Sequence, residues 1–280
     1  MNSPTACQVN MTPQREWALL LLLAGIQFTH ILDFMIMMPL GPQLTRAFAI
    51  SDAQFGLLVS AYTFAAGASG LLASLYIDRF ERRRLLLILY SLFAVATLAC
   101  GLAPTYETLM GARIAAGLFG GILSAMIQTI VADVVPFARR GKAMGVIMTS
   151  FSVSTVMGVP LGLYVAANSN WHTPFFGIAG ISFLLVVAGW YVIPTLQGHL
   201  HARGETGPLQ GIGQVLSDPN HLLAFCFSFC MIFAGFSIIP YITIYMQTNA
   251  GLSASDIPLV YLAGGAATLF SAQIIGKLSD

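Results

Sequence analysis

The chain has 280 residues, of which 57% are hydrophobic and only 8% are charged, and its formal net charge is +1. A soluble domain carries about 25% charged residues, so this composition excludes a protein whose surface faces water throughout. The near-zero net charge also gives no reason to expect a nucleic acid partner.

Eight long apolar runs follow one another along the chain, and each reaches the roughly 20 residues needed to cross a bilayer as a helix. The runs are Trp17–Leu40, Ala53–Ile77, Leu85–Ala103, Glu107–Ala132, Ala143–Ala167, Pro174–Pro194, Leu222–Gln247 and Ile257–Gly276. Only the first and the fourth hold an interior charge, which is Asp33 in the first and Arg113 in the fourth. The pattern predicts an all-α polytopic membrane protein with eight membrane-spanning helices, here called spans.

The distribution of basic residues predicts how these spans are oriented. If the N-terminus is cytoplasmic, ten of the twelve Lys and Arg residues lie in cytoplasmic segments, and the exceptions are Arg46 in an outer loop and Arg113 within a span. Cytoplasmic loops of membrane proteins carry an excess of Lys and Arg. We therefore expect a multi-pass protein of the cell inner (cytoplasmic) membrane with a cytoplasmic N-terminus.

The spacing of the spans divides the chain into three regions. The predicted regions are a six-helix transmembrane bundle at 1–194, a cytoplasmic central linker at 195–220, and the seventh and eighth spans at 221–280. Ser217 or Asp218, followed by Pro219, indicates the cap and the first turn of the seventh span.

An internal repeat supports a division after the sixth span. A shift of 202 residues places Ser51 on Ser253, Gln54 on Asp256 and Asp78 on Asp280. In each copy a serine is followed three residues later by a side chain that can accept a hydrogen bond, which is typical of a capping box at a helix start.

The predicted inner loop between the second and third spans reads SLYIDRFERRR over residues 74–84. It resembles the signature G-x-L-a-D-R-x-G-R-R of the major facilitator superfamily. The matching residues are Asp78, Arg79, Arg82 and Arg83. The resemblance implies that they latch the two halves of a transporter on the cytoplasmic side when it opens outward. The alternative is that the arginines only set the membrane topology.

Three further stretches resemble the same superfamily. The fourth span carries the pattern R-x-x-x-G at Arg113, and VVPFARRGKAMG at 134–145 resembles P-x-x-x-R-G-x-A-x-G. The second stretch places Arg140 in an inner loop, where Asp133 is expected to join the network around Asp78. GVPLG in the fifth span resembles the signature of proton-driven exporters, in the form seen in the drug- and sugar-efflux branch. The residues of that motif are Gly158, Pro160 and Gly162.

The resemblance implies the major facilitator fold, with a complete N-terminal six-helix bundle and the first two helices of a second bundle. The closing residues GKLSD, at 276–280, match the opening of the inner-loop signature and make Asp280 the repeat partner of Asp78. We therefore expect a C-terminally truncated transporter with eight of about twelve helices. The alternative is a natural eight-helix protein.

Asp33 and Arg113 form the candidate coupling site. At 1.5 Å per residue, both lie about 10 Å from the outer ends of their spans. An unpaired charge in hydrocarbon costs at least about 2.5 kcal/mol, so we expect them to face one cavity and interact, and Asp33 to exchange a proton as access alternates. Gln27 and His30 share a helix stripe with Asp33, and Gln128 shares one with Arg113. The alternative is a static charge pair that holds two helices together.

Two functions of other classes remain as alternatives. The stretch GASG at 67–70 superficially matches a motif of rhomboid-like intramembrane proteases, and Ser69 would be the nucleophile. However, Ser69 would lie roughly 24 Å deep and His30, the candidate base, roughly 15 Å from the outer end. A non-transporting membrane sensor is the second alternative.

The resemblance implies a secondary active transporter, not an enzyme, which exports a small organic molecule such as a drug or a sugar by proton antiport and alternating access. Its expected partners are that substrate, protons and the lipid bilayer. We expect it to be monomeric and to need neither a cofactor nor a metal ion. The sequence predicts neither the identity of the substrate nor activity of the truncated chain alone.

Overall fold

The computed structural model describes residues 11–73, 77–196, 217–265 and 267, and the regular structure in these ranges is helical. The linker residues 197–216, the side chain of Asp78 and the whole of Asp280 lie outside the described residues. The predictions made for them therefore stay predictions.

Seven long helices confirm the predicted all-α membrane fold. The helices are α1 (Pro13–Ile36), α2 (Gly41–Phe48), α3 (Asp52–Ala73), α4 (Arg82–Leu102), α5 (Tyr106–Val134), α6 (Phe137–Val153), α7 (Val159–Asn168), α8 (Thr173–Val192), α9 (Pro219–Ile238) and α10 (Ile242–Thr248). A π-helical segment, Ser154–Gly158, joins α6 to α7, and a 3₁₀ turn, Ile239–Tyr241, joins α9 to α10. With each joined pair counted once, seven helices of the described part are long and apolar enough to cross a membrane. The eighth predicted span is helical over 257–265, and its last residues lie outside the described part.

Local sequence signals account for where several helices begin. The Ser51 amide donates to Gln54 Oε1 at 2.9 Å and the Gln54 amide donates to Ser51 Oγ at 3.3 Å, which confirms the predicted capping box. Asp218 caps α9 by accepting from the Asn220 amide at 2.9 Å, and Pro219 is the first residue of that helix. Proline is favoured there because the missing N–H has no partner within the helix.

The first span departs from the prediction at its far end. α1 ends at Ile36, and residues 37–40 form a turn before the short helix α2. Pro39 accounts for the break, because proline lacks the N–H that would continue the helical hydrogen bonds. The connection predicted to carry Arg46 therefore contains a short helix. Arg46 belongs to α2, where its Nε donates to the Pro42 carbonyl at 2.8 Å.

α1 lies at the centre of the bundle. It packs against α5, α6, α7 and α8, while α3 packs on α5 and α4 packs on α5 and α8. Buried apolar side chains form one cluster around Leu23 and Met126 and a second around Ile36 and Phe175. A polar side chain on the buried face of α1 must therefore find its partners inside the bundle.

The helices beyond the linker contact the bundle at the end that carries α2, here called the α2 side. α10 packs on α2, and the rings of Phe34 and Phe236 lie 5.6 Å apart. None of the residues of α9 is buried. The opposite end of the bundle, with residues 77–84 and 133–142, is here called the arginine side.

Candidate functional site

The structure brings Asp33 of α1 and Arg113 of α5 together in one ion pair. Arg113 Nη1 donates to Asp33 Oδ2 at 2.9 Å and to the Asp33 backbone carbonyl at 3.3 Å. Both side chains are fully buried. Arg113 lies about 10 Å from the first residue of α5 at 1.5 Å per residue, the depth expected from the sequence. The same depth predicted for Asp33 is wrong, because α1 ends at Ile36 and Asp33 lies only about 5 Å from that end. Charge-assisted hydrogen bonds of this kind are the strong ones in proteins.

Aromatic rings enclose the pair. The guanidinium carbon of Arg113 lies 4.3 Å from the centre of the Tyr62 ring, a distance at which a cation is attracted to an aromatic face. Phe34 stacks on Tyr62 at 5.3 Å, and the His30 ring lies 6.4 Å from Tyr62 and 5.7 Å from Phe93. The pair is thus held in a largely apolar shell.

Several buried polar atoms of this shell have no hydrogen-bond partner among the described residues. They are Asp33 Oδ1, Arg113 Nε and Nη2, both ring nitrogens of His30 and the Tyr62 hydroxyl. Buried polar groups are normally hydrogen-bonded. The site therefore offers both donors and an acceptor to a polar group or a proton that reaches it.

Two glycines of α5 set the space around these side chains. A Cβ atom on Gly120 would lie 2.7 Å from the Tyr62 hydroxyl and 2.9 Å from His30 Nε2. A Cβ atom on Gly117 would run into the Tyr62 backbone carbonyl. Gly117 thus permits the close approach of α3, and Gly120 leaves room for the two polar side chains.

The remaining predicted cavity residues separate into two groups. Gln27 Nε2 donates to Ser124 Oγ at 3.1 Å, so the stripes of α1 and α5 also meet about two turns of α1 and about three turns of α5 away from the ion pair. Gln128 is exposed, and no contact joins it to the ion pair in the described part. The buried hydroxyl of Thr97 also lies beside Asp33, although the sequence gives no indication of it. A lone threonine in an apolar run carries no signal that would distinguish it from ordinary packing.

The fifth-span motif lies along α1. Hydroxyls of α6 and of the π-helical segment donate to α1 carbonyls, Ser150 to Ala24 at 2.8 Å and Ser154 to Phe28 at 3.1 Å. One and two turns further on, a Cβ atom on Gly158 would lie 2.9 Å from Leu32, and one on Gly162 would lie 2.7 Å from Ile36. Pro160 stands between the two glycines, just after the π-helical segment. Small residues at every fourth position from Ser150 to Gly162 therefore contact every fourth position of α1 from Ala24 to Ile36.

The arginine side contains an ion pair between two predicted gate residues. Arg82 Nε lies 2.9 Å from Asp133 Oδ2. Arg140 donates to the carbonyls of Ala132 and Val135, where it satisfies groups at the end of α5. Of the other predicted gate residues that the structure describes, Arg79 is exposed and Arg83 donates to the Trp190 carbonyl of α8.

The described contacts do not assemble a protease dyad or a metal site. The Ser69 hydroxyl donates to the Ala66 carbonyl of its own helix at 3.1 Å, and no contact joins it to His30. No cluster of three or more His, Cys, Asp or Glu side chains able to hold a metal ion occurs among the described residues.

These features define a multi-pass helical membrane protein that buries one ion pair between two of its spans. The chain belongs to the Major Facilitator Superfamily, whose sequence model matches residues 23–280. The inner-loop, fourth-span and fifth-span motifs all fall within that match.

Solved transporter structures have the same fold at low sequence identity. A bacterial homologue of the human lysosomal transporter Spinster, in an inward-facing and unoccupied conformation, is 19% identical with a TM-score of 0.76, over 96% of this chain and 63% of that chain. A D-xylose–proton symporter is 18% identical with a TM-score of 0.69, over 95% of this chain and 70% of that chain. The xylose transporter of E. coli in an inward open conformation is 17% identical with a TM-score of 0.70, over 94% of this chain and 69% of that chain. The chain thus spans less than two thirds of the length of the Spinster homologue.

Proposed function

We propose that the protein is a secondary active transporter that exports a small organic molecule in exchange for protons by alternating access. The observation that carries the proposal is the fully buried contact between Asp33 and Arg113, at 2.9 Å, in which Asp33 Oδ1 and two guanidinium nitrogens lack partners among the described residues. A buried charge is costly unless it is hydrogen-bonded, so these atoms would stabilise a proton or a polar group that reaches them. Here they remain for a proton or for a polar group of the substrate.

Asp33 is the proposed proton carrier. Binding of a proton would remove its negative charge and with it the charge-assisted bond to Arg113. Arg113 would keep its charge in apolar surroundings, which favours any rearrangement that provides a new partner. Proton binding on one side of the membrane and release on the other would thereby be linked to movement of α1 relative to α5.

The fifth-span motif supports the export direction. Its glycines lie against α1 next to Asp33, since Gly158 contacts Leu32. A shift of α6 and α7 along α1 would therefore move the carboxylate. Export in exchange for protons also rests on the resemblance of this motif to that of proton-driven exporters.

The proton gradient is large enough for this work. One proton that crosses with the field releases about 2.3 kcal/mol per 100 mV. Since about 1.4 kcal/mol corresponds to a factor of ten, such a proton can sustain a gradient of roughly fiftyfold. No further energy source is needed.

The rest of the proposed arrangement follows the membrane topology. Residues 1–194 form the first bundle, 195–220 the linker and 221–280 part of the second bundle. The cytoplasmic latch comprises Asp78, Arg79, Arg82, Arg83, Asp133, Arg140 and Asp280. We place the N-terminus in the cytoplasm and the protein in the inner membrane because the basic residues concentrate on that side. It works as a monomer there.

The test is proton movement in proteoliposomes that contain the full-length gene product and the pH-sensitive dye pyranine. A panel of labelled sugars and cationic dyes provides the candidate substrates. A compound whose efflux both responds to a pH gradient and changes the pyranine signal supports the proposal. If no compound moves protons, the proposal is wrong and a non-transporting sensor is favoured.

Asp33→Asn then tests the role of the carboxylate. We expect the variant to exchange substrate down its gradient but to lose transport driven by a pH gradient. Asp52→Asn is the matched control, because Asp52 is an exposed carboxylate at the start of α3. Gradient-driven transport that survives in Asp33→Asn would exclude Asp33 as the coupling group.

A further inference from the structure

A groove on the surface of the bundle lies between α4 and α8 at the arginine side. It has a volume of about 540 Å³, and its lining includes Glu81, Arg83 and Arg84 at one end and apolar side chains at the other. None of the groups of the Asp33–Arg113 site belongs to it. Of the described residues proposed for the cytoplasmic latch the groove contains Arg83 alone, and a latch does not account for its apolar end.

Two arginines stand at the polar end of the groove. Arg83 Nη2 donates to the Trp190 carbonyl in the last turn of α8, and its guanidinium carbon lies 5.8 Å from the centre of the Trp190 ring. The side chain of Arg84 is 82% exposed, with its Nε 3.6 Å from Glu81. Both guanidinium groups therefore keep donors for an anion beside the groove.

Glu81 does not turn this end into an acidic one. Its carboxylate accepts from the backbone amides of Arg84 and Leu196, at 3.2 Å each, and its side chain is only 9% exposed. The two arginines and Glu81 together leave one net positive charge, and Arg84 is the largely exposed member of the three. An anionic ligand is favoured over a cationic one.

The other end of the groove is apolar and follows one face of α4. Ile88 and Leu92 come four and eight residues after Arg84, so the three side chains lie along the same helix face. Their exposed fractions are 58% for Ile88 and 41% for Leu92. The stripe extends about 12 Å from the arginines. Trp190, 60% exposed, lies at the level of the arginines, as tryptophan does at a membrane–water interface.

We propose that this groove binds an anionic phospholipid from the leaflet on the arginine side. The phosphate lies at Arg83 and Arg84, and one acyl chain lies along Ile88 and Leu92. Basic pockets between membrane helices bind anionic headgroups in this way. A soluble anion would use only the arginine end and would leave the apolar stripe unexplained.

Quenching of Trp190 fluorescence by brominated lipids tests the site. The full-length gene product is placed in phosphatidylcholine nanodiscs in which the same small fraction of lipid is either dibrominated phosphatidylglycerol or dibrominated phosphatidylcholine. The difference between the wild type and Trp190→Phe isolates the signal of this residue. We expect stronger quenching by the anionic lipid, and equal quenching by the two lipids would overturn the proposal.

Charge variants distinguish binding of the anionic lipid in this groove from its nonspecific attraction to the basic side of the protein. Arg83→Gln with Arg84→Gln should abolish the excess quenching and weaken phosphatidylglycerol binding in native mass spectrometry about 25-fold, at about fivefold for each arginine. Arg15→Gln with Lys142→Gln removes two charges on the same side away from the groove and should keep both signals. Equal loss in the two double variants would overturn the proposal.

Two further measurements keep the test decisive. If the glutamine variant does not fold, Ile88→Asp places a negative charge in the apolar stripe and should remove the excess quenching. Glycerol 1-phosphate, a soluble phosphate, should not compete with phosphatidylglycerol. Competition at equal concentration would assign the arginines to a soluble anion and contradict the lipid site.

Discussion

Replacing Asp33 by Asn should destabilise the protein by about 3 kcal/mol. Removal of one partner from a buried ion pair costs about 3–5 kcal/mol, because the other charge stays buried without compensation. Both partners are fully buried here and their contact is 2.9 Å long. The Tyr62 ring, 4.3 Å from the guanidinium carbon, still attracts the cation by about 1–2 kcal/mol and brings the expected loss to the lower end.

The measurement is a double-mutant cycle on the full-length gene product in a mild detergent. The free energy of unfolding is taken from titration with sodium dodecyl sulfate, followed by far-ultraviolet circular dichroism. The four proteins are the wild type, Asp33→Asn, Arg113→Gln and the double variant. Because the double variant holds neither charge, it should regain most of the loss, with a coupling energy of about 2–3 kcal/mol.

An exposed ion pair supplies the control. Arg139 lies 3.0 Å from Glu16, and the Arg139 side chain is 56% exposed. Arg139→Gln should therefore change stability by less than about 1 kcal/mol. If the effects of Asp33→Asn and Arg113→Gln simply add in the double variant, the two charges are not coupled and the reasoning is refuted.

The cycle also separates a static pair from a coupling pair. A carboxylate that loses its partner can become neutral by binding a proton, whereas arginine keeps its charge. Arg113→Gln should therefore cost less than Asp33→Asn. A double variant that is stable but does not couple transport to protons would assign the pair a role in coupling beyond its role in stability.

Three further predictions use the same titration or the transport assay. Gly117→Ala should lower the free energy of unfolding by about 1–3 kcal/mol, because its Cβ meets the backbone of α3. Gly111→Ala on the same helix is the control: its Cβ meets nothing within 4 Å, so the variant should be neutral or stabilising. Equal effects of the two variants would contradict the close approach of α3 to α5. Gly120→Ala should lower the transport rate more than the stability, since it displaces only the ends of two site side chains, and an unchanged rate would argue against their role. Arg82→Gln should lower the free energy of unfolding by about 1 kcal/mol, because its partner Asp133 is partly exposed. The charge reversal Arg82→Glu with Asp133→Lys should recover part of this loss. No recovery would mean that the ion pair contributes little to stability.

The spans and the ion pair could be predicted because both depend on the cost of placing polar groups in a membrane. Runs of about 20 apolar residues can only cross the bilayer as helices. Asp33 and Arg113 are the charges well inside such runs, and their equal predicted depths made each the expected partner of the other. The pairing of these two residues could therefore be predicted without knowledge of how the helices pack.

The role of the glycines could not be predicted in the same way. Small residues at intervals of three or four are typical both of a cavity wall and of a close helix contact. The stripe that Gln128 shares with Arg113 is predicted to face a cavity, but Gly117, one turn after Arg113, lies against the backbone of α3. Which alternative holds depends on the position of the neighbouring helix, and that position is set by packing.

One feature of the fifth-span motif could be predicted from the sequence, and another depends on how the helices pack. Pro160 predicts a bend, because its missing N–H leaves the carbonyl four residues earlier without a helical partner. The structure accommodates this by the π-helical segment Ser154–Gly158, which takes in more residues per turn than an α-helix does. Residues four apart turn slightly more than a full turn in an α-helix and slightly less in a π-helix, so the π-helical segment offsets part of the rotation of the stripe. Gly158 and Gly162 both lie against α1. The motif therefore acts on the helix that carries Asp33, a link that depends on helix geometry and not on sequence spacing.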